Sequence, residues 1–195
     1  SIQPNSPYPL KDHPSGYFFN AQKGRVLREY QLVYITKGRG LFTSETTPEK
    51  QVCKGRLMVL FPGQWHTYHP YQQTGWNEYY IGFEGPVIDD MLKGGFLSKD
   101  NQVLEVGLNE ELVTLFSRAL EIAEADKISS QQYLSGIVLH MIGMILSISK
   151  NKIFEVGDVD QKIEQAKIIM NENVFKDVCR RVQERGQRFV DFQRS

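Results

Sequence analysis

"EYQLVYITKGRGLFTSE", Glu29 to Glu45, decides how the first half of this chain is read. Short runs rich in β-formers lie on both sides of a glycine-rich centre, the pattern of β-strands separated by a turn signal. Two strands, "EYQLVYIT" and "LFTSE", are expected here, with "KGRG" turning between them, because glycine supplies backbone conformations that other residues avoid. Similar runs follow: "RLMVLF" closed by "PG", "WHTYH" by "PYQQTG" and "WNEYYIGF" by "EGP". Short strands at such regular spacing, from Arg25 to Phe83, argue for a sandwich or barrel rather than alternating strand–helix units.

Outside this region the pattern changes. Pro4, Pro7, Pro9, Pro14 and Gly16 cannot continue a helix or a central strand, so an extended arm is expected at the start. Past Pro86 the period becomes helical. Asn109 stands as an N-cap before Glu110 and Glu111, and Leu112, Leu115, Phe116, Ala119, Ile122 and Ala123 line one face of a helix ending near Asp126. Ser129 with Gln132 predicts a capping box for a second helix, whose apolar stripe through Leu134, Ile137, Met141, Met144 and Ile148 is widened by Val138 and Ile145. A third helix is expected from Asp160 to about Phe175, and the basic tail after Lys176 has little apolar period.

The 195 residues are 41% hydrophobic and 24% charged, with 23 basic against 23 acidic side chains. That balance gives no bulk attraction to nucleic acid or to an anionic membrane. Cys53 and Cys179 fit no disulfide or zinc framework, which suits a reducing cytoplasm, and no signal-peptide pattern opens the chain. The apolar stretch from Tyr133 to Ile148 falls short of the roughly 20 residues of a membrane span and reads as a buried helix.

A barrel binds ligands inside, so the residues that face inward matter. His66 and Tyr68 share one face of their strand and His69 takes the other. Metal ligation would need two or three histidines and a carboxylate aimed at one point. The hairpin from Leu41 to Val52 adds no histidine, only Glu45 and Glu49, so no metal and no cofactor is expected. Trp76, Glu78 and Tyr80 share a face: aromatic planes beside a carboxylate suit a sugar, whose C–H faces stack while the acceptor fixes hydroxyls. No nucleophile elbow, P-loop or dinucleotide-binding glycine motif occurs, and no catalytic residue is assigned.

Three ordered stretches, "HPSGYFFNAQKGRVLREYQLVYITKGRG", "GRLMVLFPGQWHTYHP" and "TGWNEYYIGFEGP", together resemble the N-terminal cupin domain of AraC-type transcriptional regulators. The resemblance implies a fold that is mainly β with α: a cupin-type β-barrel (jelly roll) over residues 1–86, then a helical dimerisation hairpin and linker helix over 87–175. It also implies a homodimer that senses a sugar-like effector and is cytoplasmic, neither an enzyme nor a membrane protein. Aligned on its motifs, the ligand positions are Lys37, Tyr68, Glu78 and Tyr80, with His66 and Trp76 beside them. The family's helix-turn-helix domain is missing from 176–195, so sequence-specific DNA contact is expected only through such a domain. The alternative is a metal-dependent cupin enzyme using His66, His69 and a carboxylate.

Overall fold

The structure, a computed structural model, describes residues 1–6, 21–125 and 128–155. Seven strands, β1 (Arg25–Val26), β2 (Tyr30–Ser44), β3 (Lys50–Cys53), β4 (Arg56–Leu60), β5 (Trp65–Pro70), β6 (Trp76–Phe83) and β7 (Val103–Glu105), are joined by helices α1 (Pro86–Lys93), α2 (Glu110–Ala125) and α3 (Ser130–Glu155). The chain divides into two compact units, Ser1–Ser149 and Lys150–Ser195. All the described strands lie in the first; of the second, the described residues are the end of α3. Most of the expected arm, the third helix and the basic tail lie outside the described residues.

The decisive stretch folds differently from the simplest reading of its glycines. "KGRG" is no turn: Tyr30–Ser44 is one strand of 15 residues that runs through two layers. Its first half pairs antiparallel with β4 and β6, and its second half with β3 and β5. At the junction one extra residue, Thr36, stands between the pairs Ile35–Glu78 and Lys37–Asn77, a β-bulge that bends the strand and reverses which side its residues face. The glycines permit the bend by their lack of a side chain. A Cβ on Gly38, whose φ is 83°, would come within 2.0 Å of the Gly75 carbonyl oxygen, and one on Gly40 within 2.1 Å of the His69 carbonyl oxygen. The layers form an open path, β1-β5-β2-β4-β7 with β3 and β6 branching from β2, so the fold is a cupin-like sandwich and not a closed barrel.

Two cores result from the alternation of side chains. Val33, Ile35, Met58, Leu60 and Val103 point between the layers, where Phe42, Val52, Tyr68 and Trp76 meet them. Tyr30, Leu32, Tyr34, Leu57, Val59 and Phe61 point outward and are covered by helices through Leu112, Phe116, Ile137, Met141 and Ile145. The apolar periods of α2 and α3 identify these covering faces. Asn109 caps α2 as expected, its Oδ1 accepting the Leu112 N–H at 2.9 Å. Ser129 instead takes a left-handed φ of 66° and receives the Tyr133 N–H on its backbone carbonyl, so α3 begins without the expected box. The sequence periods missed α1 and β7, which are too short to show one; β7 extends the sheet beyond Pro86 by pairing with β4. From Ser130 to Asn151, 22 residues of α3 are long and apolar enough, by length and composition alone, to cross a membrane.

Candidate functional site

The interior between the layers carries the chemistry. β2, β5 and β6 supply its walls, and the register fixes which residues look in: Tyr68 pairs with Phe42, Glu78 with Ile35 and Tyr80 with Val33. Those partners are interior residues, so Tyr68, Glu78 and Tyr80 face inward with them. His66, two residues before Tyr68, stacks its ring against the phenol at 6.3 Å between centroids, and Trp76 lies 6.0 Å from the same ring on its way to Glu78. Tyr80 is 37% exposed and so stands where the interior meets solvent. Five of the six expected ligand positions are therefore brought together. Lys37 is not: the bulge at Thr36 turns it to the outer side, across from Asn77, and it is exposed.

Arg25 and Gln31 complete the constellation. Arg25 reaches in from β1, pairing in register with His66, and donates from Nη2 to Gln31 Oε1 at 3.1 Å and to the Tyr68 hydroxyl at 3.0 Å. Its Nε approaches His66 Nε2 at 3.4 Å. A guanidinium only donates, so Nε2 must accept, and the ring proton sits on Nδ1, where it is given to the Gln64 carbonyl at 3.2 Å. Burial, helped by the Arg25 charge and opposed by that Gln64 bond, holds the His66 pKa down at about 4, so the imidazole is neutral. The signal for Arg25 was present in "GRVL". Strand alternation sets Val26, 57% exposed, against Arg25 and Leu27, and Leu27 packs on the interior.

Glu78 is the group left over. Its Oε2 is buried with no hydrogen-bond partner among the described residues. Burial pushes the carboxyl up to about 7, while the Ser1 amino group, Arg25 and the Trp76 indole N–H pull it back. The Tyr68 phenol is raised by burial and by the Glu78 charge, which shows how near the two groups lie. An acid poised between forms, bordered by aromatic rings and facing Arg25, Gln31 and a neutral histidine, can accept or donate hydrogen bonds to a polar ligand.

His69 points away from this interior, as the strand period requires. It lines a cleft of about 330 Å³ with Gln3, Gln22, Tyr71 and Gln72, which none of the six expected ligand residues reaches. Among the described residues no Asp, Glu, Lys or Arg lines this cleft, so the interior is the chemically richer place. With His66 and His69 on opposite faces and Arg25 on His66 Nε2, the two histidines do not converge. Among the described residues no group of three or more His, Cys, Asp or Glu stands where it could hold a metal ion.

Residues 8–142 match the family described as the AraC-like ligand binding domain. No curated protein matches the chain.

Proposed function

The chain belongs to the family of AraC-like ligand binding domains, and on that premise we propose that it senses a sugar or similar small polar effector in the interior of its sandwich. Domains of this family are typically regulatory rather than catalytic. One observation carries the reading: a buried carboxylate acceptor with no hydrogen-bond partner among the described residues, Glu78, shares a face with the rings of Tyr68, Trp76 and Tyr80. A ligand hydroxyl would satisfy it, and the rings would cover the ligand's C–H faces. Ile2, 5% exposed, packs on the same cluster, and its backbone exchanges hydrogen bonds with Trp76 at 2.8 and 2.9 Å. The N-terminal segment is thus the part a ligand would lock or displace, by as much free energy as the ligand prefers one state over the other.

A second observation favours a homodimer through the helices. One face of α3 packs on the sheet, yet only 28% of its most apolar stretch is buried, and Leu120, Tyr133 and Leu139 are exposed. A soluble monomer rarely leaves so much apolar surface uncovered. In this reading a cytoplasmic dimer passes the effector-bound state to attached helix-turn-helix domains, which make the contacts to DNA.

A thermal-shift screen of mono- and disaccharides tests the site. At least one sugar is expected to stabilise the protein, and Glu78→Gln to weaken it by a roughly five- to hundred-fold loss of affinity, the cost of a hydroxyl left unpaired in a desolvated pocket. Equal stabilisation of the wild type, Glu78→Gln and Tyr68→Ala would remove the interior as the site. Light scattering at micromolar concentration tests the dimer.

A further inference from the structure

We propose that the effector carries a protonated amine among its hydroxyls, as an amino sugar or amino polyol does, with the ammonium group on Glu78 and the C–H faces on Tyr68 and Trp76. This rests on the interior being the binding site and adds the ligand's charge. Four pairs join acidic to basic side chains with both partners described, Arg56–Glu105, Lys93–Asp90, Arg118–Glu121 and, when the histidine is protonated, His140–Glu111, and none lies in the interior. Glu78 has no ion-pair partner among the described residues. The cations near it, the Ser1 amino group and Arg25, form no ion pair with it, and Arg25 directs hydrogen bonds to Gln31, Tyr68 and His66.

The missing partner defines the ligand. In its ionised form the Glu78 carboxylate has no proton to give, so a ligand that meets that form must donate. A sugar hydroxyl donates one hydrogen bond and adds no charge to the partial compensation that the Ser1 amino group and Arg25 already give Glu78. An ammonium group donates up to three and supplies the opposite charge, which is what a charge withdrawn from water requires. Trp76 agrees with this, because an indole is the best of the aromatic types for attracting a cation, while the Tyr68 ring already holds the Arg25 guanidinium 5.7 Å from its centroid. A uronic acid would set a second carboxylate against Glu78, and N-acetylation of the amine would remove the cation; both are disfavoured.

The test is titration calorimetry of the chain with matched probes from the glucose, galactose and mannose series, each as neutral sugar, 2-amino sugar, N-acetylated amino sugar and uronic acid. In at least one series the 2-amino sugar is expected to bind at least about ten-fold tighter than its neutral and N-acetylated counterparts. Glu78→Gln is expected to erase that preference while neutral sugar still binds, and Glu78→Asp, which keeps the charge, to retain it. Neutral sugars binding as tightly as amino sugars, or a preference that survives Glu78→Gln, overturns the assignment of the amine and leaves the sugar-binding interior standing. No binding by any probe removes both.

Discussion

The two faces of the sheet formed by β2, β4 and β6 come from the same strands and yet differ in kind. On the helix-covered face polar groups are few and satisfied: the Tyr34 hydroxyl donates to the Gly107 carbonyl at 2.7 Å and accepts the Asn109 N–H at 3.0 Å, and Tyr30 donates to Asp89 at 2.8 Å. The inner face holds Arg25, Gln31, His66 and Glu78 among aromatic rings, and a carboxylate oxygen there lacks a hydrogen-bond partner among the described residues. A face built only for stability would have replaced these groups with apolar ones, since half-satisfied buried polar groups cost more than an apolar core. The helix side holds the fold, and the inner side gathers the polar groups on which the proposed site rests.

Cutting into the helix side separates the two faces most sharply. Met141 is fully buried under the sheet, so Met141→Ala is expected to cost about 2 to 5 kcal/mol in chemical denaturation while ligand affinity in the folded protein stays the same. Loss of affinity without loss of stability would reverse the assignment of the faces.

The inner face gives a smaller effect with a distinctive sign. Glu78 has a folded pKa of about 7 against an ordinary 4.5, so between those values the folded chain holds the extra proton and rising pH costs stability. His66 is at about 4 against 6.5, so between those values the unfolded chain holds the extra proton and falling pH costs stability. From pH 4.5 to 6.5 the two slopes oppose each other, and wild-type stability is expected to change little there on their account. The charged groups shared by both residues are Arg25 and, for Glu78, the Ser1 amino group, with Tyr68 and Tyr80 beside them. Glu78→Gln is expected to gain on the order of 2 to 3 kcal/mol above pH 7 and to unmask the acid loss due to His66. Denaturation curves for wild type and variant that stay parallel from pH 4 to 8 would show that Glu78 is not buried as described.

The smallest effect lies at the edge of the helix side. Asn109→Ala removes the cap of α2 and is expected to lower stability by about 1 kcal/mol, with no change in ligand affinity.

How much of this was legible in the sequence depended on distance along the chain. The period of "WNEYYIGF" placed Trp76, Glu78 and Tyr80 on one face, and that of "WHTYH" placed His66 with Tyr68 and against His69, because alternation is local geometry. The stripes of α2 and α3 and the Asn109 cap were legible for the same reason. Lys37 was misplaced by motif alignment because one bulged residue reverses the facing of everything after it, and a bulge is fixed by the partner strand.

The sequence by itself determined strands β4, β5 and β6 and their faces, the two main helices and the aromatic-carboxylate pattern of one side. Only the tertiary structure decided that "KGRG" is a bend where two layers meet, that Arg25 reaches His66 and Tyr68 from 41 and 43 residues away, and that Glu78 is left buried with an acceptor unpaired. Side-chain direction follows from neighbours along the chain. Burial, close backbone approach and the pairing of polar groups follow from neighbours in space, which the order of residues does not display.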